Sequence, residues 1–232
     1  MIRTILFDLD GTLLDTAPDL AYALNIVRNE QNLKPIPYEQ IRPAVSHGGL
    51  AMIRLGFTHT HNSNRFEELR QRLLQIYQEN IAENTALFPG MEKVLHHIES
   101  SDMKWGVVTN KPSWLTDPLM KKMNLFERSS CVISGDTTDN RKPHPEPMIL
   151  ACQQCNSTVE ECLYIGDAER DIQAGRQAGM SSLVAQYGYI NDDDDISQWG
   201  ADDIISKPED IIIWLNNHNG QTPSPGNLPD CH

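Results

Sequence analysis

Four short groups of polar residues, each following an apolar run, carry the chemistry this chain is equipped for. Ile5, Leu6 and Phe7 run into Asp8-Leu9-Asp10-Gly11-Thr12. Trp105 to Val108 runs into Thr109-Asn110-Lys111-Pro112. A third run, Cys131 to Ile133, is followed by a loop holding Arg141-Lys142-Pro143-His144-Pro145, and a fourth, Cys162 to Ile165, by Gly166-Asp167 and then Asp171. Side chains along a strand repeat with period two, so Asp8 and Asp10 point the same way while the chain stays extended. Two crowded carboxylates are costly unless a cation or a mobile proton compensates. Gly11 lets the chain turn and lets a ligand approach the backbone. Taken singly, each group has a plain structural reading: Thr109-Asn110 as a helix cap, Lys142 as a surface lysine, Asp167 as a turn former. Taken together they suit phosphoryl transfer. Asp8 and Asp167 supply the hard oxygens that Mg²⁺ takes, and a cation is needed before an ionised carboxylate can attack a phosphate dianion. Lys142 adds positive charge. The Thr109 hydroxyl, the Asn110 amide and backbone N–H groups near Gly11 are the candidate phosphate holders. A carboxylate beside the nucleophile holds a proton more readily, which makes Asp10 a candidate general acid.

The elements that must position these groups alternate. Apolar runs at Ile5–Phe7, Trp105–Thr109, Cys131–Ile133, Cys162–Ile165, Ser182–Ala185 and Asp203–Ile205 read as strands. Helical spacing covers Met91–Ile98, Asp117–Met123, Pro145–Gln154, Asp171–Ala178 and Pro208–Leu215. Strand–helix alternation with short connections predicts an α/β fold, a doubly wound parallel sheet of Rossmann-like type, with ligands at the carboxyl ends of the strands. Residues 16–85 instead read as helical only. Thr16 is placed to cap a helix with Pro18 in its first turn. A segment from Glu39 to Val45 leads to a turn at Ser46-His47-Gly48-Gly49, and a long helix spans about 64 to 83 with Phe66, Leu69, Leu73, Tyr77 and Ile81 on one face. The expected organisation is a Rossmann-like catalytic core of residues 1–15 and 86–216, a small all-helical cap of residues 16–85, and a tail of residues 217–232 rich in Asn, Gly, Pro and Ser.

Composition narrows the partners. The 232 residues include 32 acidic and 19 basic, a net charge of −13, which argues against a nucleic-acid or anionic-membrane surface. No apolar run reaches the length of a membrane span. The start shows no signal-peptide pattern, and five cysteines, an odd count, fit reduced thiols, so a cytoplasmic location is expected. Cys152 and Cys155 have metal-ligand spacing but no second pair nearby in sequence, and read as ordinary helical cysteines.

The four groups, in this order, resemble the motifs of the haloacid dehalogenase-like hydrolases, and the helical insertion after the first resembles that family's small cap. The resemblance covers nearly all of the chain except the tail. It implies that Asp8 attacks phosphorus to form an aspartyl-phosphate, and that Asp10 protonates the leaving oxygen and later activates water. It also implies that Thr109, Asn110, Gly11 and Lys142 hold the phosphoryl group. Mg²⁺ would be held by Asp8, Asp167 and the backbone carbonyl of Asp10, with Asp171 behind them. An aspartate two residues after the nucleophile is similar to the phosphatases and mutases of the family. Thr109 to Pro112, Lys142 to Pro145 and Tyr187-Gly188-Tyr189 resemble the phosphoglycolate phosphatase branch. Within it, Gly106 to Pro112, Tyr187 to Ile190 and Trp199 to Asp202 are most similar to N-acetylmuramic acid 6-phosphate phosphatases of peptidoglycan recycling. The implied partner is a small carboxylate-bearing phosphate ester, with N-acetylmuramic acid 6-phosphate ahead of 2-phosphoglycolate. A sugar-phosphate mutase and a non-catalytic binding protein are the competing readings. The implied assembly is a monomer or weak dimer. His47 and Gly48 in the cap turn, and Lys111 after the second strand, are candidates to meet the substrate. His59 and His61 mark a polar loop, with a metal site there the lesser reading. Trp114 and Met120 read as packing residues.

Overall fold

The chain is described here by a computed structural model over residues 1–58 and 63–220. In chain order the strands are β1 (Thr4–Phe7), β2 (Leu14–Asp15), β3 (Ala86–Leu87), β4 (Lys104–Val108), β5 (Val132–Ile133), β6 (Cys162–Gly166), β7 (Ser181–Ala185) and β8 (Asp203–Ile205). The apolar runs pair into one sheet of order β5-β4-β1-β6-β7-β8, with every pairing parallel. β1 is central, and Ile5, Leu6 and Phe7 have no exposed surface. Burial on that scale stabilises by about 1.5–3 kcal/mol per large apolar side chain, and the one polar residue of β1, Thr4, is buried with its hydroxyl hydrogen-bonded to Ser157.

The helices are α1 (Ala17–Glu30), α2 (Tyr38–Ile41), α3 (Gly48–Gly56), α4 (Ser63–Glu79), α5 (Met91–Ser100), α6 (Ser113–Lys122), α7 (Glu146–Cys155), α8 (Glu169–Ala178) and α9 (Asp210–Gly220). One face of the sheet packs with α5, α6 and α9 through Val94, Leu95, Leu119, Ile211 and Leu215. The other packs with α7 and α8 through Met148, Ala151 and Ala174, which meet Leu6, Val108 and Tyr164. Helices on both faces make the sheet doubly wound. The inserted block α1 to α4 is helical throughout, as expected of a cap, and α4 buries Leu69, Leu73, Ile76 and Tyr77. Chain entry and exit are joined by the antiparallel pair β2–β3, too short to leave a periodic signal in sequence. Asp19 reinforces the same junction, accepting from the backbone N–H of Asn84 and of Thr85 and from the Thr85 hydroxyl at 2.7–3.0 Å.

Four local expectations need correction. Gly48 does make the turn, at φ +79°, but it also opens α3. Glycine disfavours helix, yet Met52 and Ile53 bury completely and Gly56 leaves room for Leu24, so packing prevails. Thr16 does not cap α1 with its side chain; its hydroxyl donates to Asp10 instead, at 2.6 Å. α4 ends at Glu79 rather than near residue 83. α9 continues to Gly220, beyond the expected start of the tail, with Leu215 buried beneath it. His59, His61 and residues 221–232 lie outside the described residues. Among those described, no helix is long and apolar enough to cross a membrane.

Candidate active site

The carboxyl ends of β1, β4 and β6 deliver the motif side chains to one place. Asp8 follows β1 directly, and its side chain is 5% exposed. Its N–H donates to Ile165 O on β6, and Oδ1 accepts from Leu9 N–H at 2.8 Å, so both its backbone and its carboxylate are fixed. Lys142 Nζ lies 2.9 Å from Asp8 Oδ1 and 2.8 Å from Asp171 Oδ1. The same ammonium donates to Val108 O and to the Tyr164 hydroxyl. Three protons cannot serve four oxygens. Asp171 Oδ1 is the atom left buried without a hydrogen bond. The plain structural reading of Lys142 as a surface lysine does not hold: it is 2% exposed and bound on every side.

Asp8, Asp167 and Asp171 bring one ligand oxygen each within 4.8 Å of the others, all buried. Asp167 accepts from the Ser46 hydroxyl at 2.6 Å and from Tyr189 N–H at 2.9 Å, with the Thr12 hydroxyl at 3.3 Å. Burial, with the charges of Asp8 and Asp171, pushes its pKa up to about 7. Burial likewise raises that of Asp171, although Lys142 opposes it. Three carboxylates against Lys142 and the nearby Arg170 still leave excess negative charge. An all-oxygen donor set, with one oxygen orphaned, fits a hard divalent cation such as Mg²⁺.

Two glycines allow this crowding. A Cβ on Gly11, at φ +86°, would sit 2.1 Å from Asp167 Oδ2. One on Gly188 would sit 2.4 Å from Asp167 Cβ and 2.5 Å from Gly11 O. The Tyr187-Gly188-Tyr189 stretch therefore buttresses the acidic cluster. The Tyr189 hydroxyl donates to Asp15 at 2.7 Å and accepts from Ala17 N–H at the entry to α1.

Asp10 sits apart from the cluster. Its Oδ1 accepts from the Thr16 hydroxyl and from Lys111 Nζ, the latter at 2.8 Å. Lys111 does reach a carboxylate, but one in its own chain. It also stands over the Tyr77 ring of α4, 4.5 Å from the centroid. Burial works to lower the Lys111 pKa, but Asp10 and Tyr77 outweigh it and the net shift is upward. Thr109 Oγ accepts from Lys111 N–H, which leaves its own hydroxyl proton for a ligand oxygen. The Asn110 amide donates to Lys142 O and so fixes the lysine loop.

The cap closes over Asp167. Ser46 supplies the hydroxyl already described, and its carbonyl accepts from the Arg170 guanidinium. Arg42 donates to Tyr187 O and Gly188 O and lies over the Tyr189 ring. A cavity of about 260 Å³ opens beside this contact, lined by Ser46, His47, Asp167, Arg170, Tyr189 and Asp194 among others. Burial and the Arg170 charge hold the His47 pKa below its ordinary value, so its imidazole is neutral near pH 7. Gly48 faces open space. The sequence reading missed Arg170, Ser46 and the Tyr189 buttress. Arg170 had a signal, since it lies between Asp167 and Asp171 in the first turn of α8.

A family model described as haloacid dehalogenase-like hydrolase matches residues 5–185. The chain is 40% identical to an N-acetylmuramic acid 6-phosphate phosphatase of Pseudomonas putida, over 90% of this chain and 94% of that one. It is 40% identical over the same shares to a phosphoglycolate phosphatase of Xanthomonas campestris. Among solved structures, one described as a predicted phosphoglycolate phosphatase from Haemophilus somnus superposes with a TM-score of 0.81. It is 25% identical, covering 92% of this chain and 98% of that one.

Proposed function

Because the chain belongs to the haloacid dehalogenase-like hydrolases and is a phosphatase, we propose a specific reaction for it. It is a Mg²⁺-dependent phosphomonoesterase that works through an aspartyl-phosphate on Asp8. The carrying observation is the asymmetry between the two motif aspartates. Asp8 is buried against Lys142 beside the acidic cluster, and Asp10 is held separately by Thr16 and Lys111. Two carboxylates in such different settings are suited to different roles.

In this reading an Asp8 oxygen attacks phosphorus as the ester P–O bond breaks, and the leaving alkoxide takes a proton from Asp10. Asp10 then removes a proton from water, the water oxygen attacks phosphorus, and the Asp8–phosphorus bond breaks to release phosphate. Asp8, Asp167 and the backbone carbonyl of Asp10 would hold Mg²⁺, with Asp171 behind them against Lys142, and the ion would neutralise phosphoryl charge so that an anion can attack it. Lys142 keeps the Asp8 carboxylate oriented. The Thr109 hydroxyl and backbone N–H groups near Gly11 hold phosphoryl oxygens. Lys111 and Thr16 both bind Oδ1 of Asp10, which assigns proton transfer to Oδ2.

The substrate we favour is N-acetylmuramic acid 6-phosphate, with 2-phosphoglycolate as the alternative. Both carry a carboxylate. Lys111 is committed to Asp10, Lys142 to Asp8 and Asp171, and Arg42 to backbone carbonyls and Tyr189. His47 is neutral. Arg170 is the cation on the cavity wall; it also donates to Ser46 O and faces the acidic cluster, and its place on that wall is why we assign it the role of carboxylate reader that the sequence alone offered to Lys111 and the His47–Gly49 turn. Charge-assisted hydrogen bonds contribute about 1.5–3 kcal/mol, roughly 10- to 100-fold. The wild type should therefore prefer N-acetylmuramic acid 6-phosphate over N-acetylglucosamine 6-phosphate in kcat/KM. Arg170→Met should shrink that ratio. Equal efficiency on the two sugars, with 2-phosphoglycolate faster than both, moves the assignment to the alternative. An unchanged ratio in the variant removes Arg170 from the role.

A further inference from the structure

Cys152 and Cys155 lie three residues apart on the face of α7 that packs on the sheet. Two cysteines distant in sequence meet them there. The sulfur of Cys152 is 3.3 Å from that of Cys162, which opens β6. The sulfur of Cys155 is 3.4 Å from that of Cys131, which precedes β5. β5 and β6 flank the β4–β1 pair, so the two contacts straddle the helix. Gly106 makes the room, since a Cβ there would sit 2.4 Å from the Cys131 sulfur. All four are free thiols, buried in the cluster that holds Leu6, Met148 and Tyr164. Among the described residues, no three of these sulfurs converge as ligands of one ion would. The arrangement is two dithiols, not a metal site.

We propose that Cys152 and Cys162 are a peroxide-sensitive dithiol, converted by a hydroperoxide into a reversible intramolecular disulfide. The Cys152 thiolate attacks the peroxide, the O–O bond breaks, and Cys152 becomes a sulfenic acid as one water leaves. The Cys162 thiolate attacks that sulfur, the S–S bond forms, and the sulfenic oxygen leaves as a second water. Two thiols are oxidised, one hydrogen peroxide is reduced, and the two thiol protons end in water. The sulfurs must close from 3.3 Å to about 2.05 Å, a movement within reach of side-chain rotation.

Access fixes the order of events. Cys152 is 4% exposed and Cys162 is sealed at 0%, so an oxidant meets Cys152 first and the resolving thiol stands behind it. The second pair has nearly the same spacing, with Cys131 the less buried thiol and Cys155 the more buried one. It serves as an internal comparison. Both links would tie the C-terminal half of α7 to the amino ends of strands, opposite the catalytic ends. The modification should therefore act on stability rather than on the reacting groups. Disulfides outside oxidising compartments are mostly of this transient, redox-responsive kind.

The test is a titration of the full wild-type chain with hydrogen peroxide under native conditions, quenched by alkylation and mapped without reduction. A Cys152–Cys162 peptide should appear, vanish on adding a dithiol reductant, and accompany a rise in Tm. In Cys162→Ala it should be absent, with Cys152 trapped as sulfenic acid. The proposal is overturned if Cys152 pairs with any other cysteine, Cys231 included. It is overturned equally if Cys152 in the wild type stays fully open to alkylation after unfolding, at a peroxide dose that oxidises an unfolded control. The wild-type map decides by itself should Cys162→Ala fail to fold.

Discussion

Lys142 in the core and Arg70 on the cap helix α4 each pair with a carboxylate at nearly the same distance, 2.9 Å to Asp8 and 2.8 Å to Glu67. The side chain of Lys142 is 1% exposed and that of Arg70 is 36% exposed. The first pair is cut off from water, surrounded by Val108 O, the Tyr164 hydroxyl and Asp171. The second is one of several solvated pairs between neighbouring helical positions, like Arg65 with Glu68. Charges buried at strand ends cannot be removed one at a time without leaving a partner uncompensated. Charges on the cap surface are interchangeable. The core thus fixes one chemistry, while the cap is free to vary around a few contacts: Ser46 with Asp167, Arg170 with Ser46, and Arg42 with the Tyr187–Gly188 backbone. The proposed selection of substrate is assigned to that rim.

The widest separation between the two regions should be in turnover. Asp8→Asn should lose on the order of 10⁶-fold in kcat, the scale of deleting a covalent nucleophile. Asp10→Asn should lose about 10²–10⁴-fold, the usual contribution of general acid–base catalysis. That loss should shrink in the phosphorylation step with a leaving group that needs no proton. His47→Ala, at the cap rim and neutral, should stay within roughly tenfold, the cost of one modest hydrogen bond. Steady-state turnover with a melting curve for each variant checks this. If Asp8→Asn and His47→Ala fall together, the division of labour between core and cap is wrong.

Stability gives a smaller separation. Lys142→Met, measured in chelator, should cost about 3–5 kcal/mol, because Asp8 and Asp171 remain buried without their cation. Arg70→Ala should cost about 0–1 kcal/mol, as exposed pairs do. Denaturant unfolding of the two variants against wild type reads both values. Equal costs would mean that Lys142 is better solvated than its surroundings imply.

The core was legible because parallel strands buried on both faces leave uninterrupted apolar runs, and because polar residues at their ends have no structural reason to recur four times. Asp8, Asp10, Lys142, Asp167 and Asp171 were all read from that pattern, and the structure gathers them around the ends of β1, β4 and β6. The rim was less legible. The glycines at 48 and 49 hid α3, since local propensity there opposes the packing of Met52 and Ile53. Lys111 was read as pointing outward to a ligand, because its pairing with Asp10 across 101 positions leaves no trace in sequence spacing. Thr16 looked like a cap for the same reason. Ser46 and Arg170 meet across 124 positions, a contact between cap and core that sequence spacing does not show. Cys131 and Cys162 stayed apart from Cys152 and Cys155 until the sheet order placed them.

The finest distinction lies in the response to pH. Asp167 in the core has a pKa raised from 3.8 to about 7 by burial and by Asp8 and Asp171. An unfolded carboxyl keeps the lower value, so between about pH 4 and about pH 7 the folded chain binds more protons than the unfolded one. Stability without metal should therefore fall as pH rises through that window, with a slope of at most about 1.4 kcal/mol per pH unit for one proton. Mg²⁺ competes with that proton for the same oxygens. Saturating Mg²⁺ should flatten the slope and raise Tm more at the alkaline end than at the acid end. Substituting His47 should steepen the fall, because an imidazole whose pKa is lowered on folding contributes stability that grows as pH rises toward its ordinary value. Melting curves across the window, with chelator and with Mg²⁺, carry the test. A metal-free Tm that climbs from about pH 5 to about pH 7 would show that the three carboxylates do not repel as their burial requires.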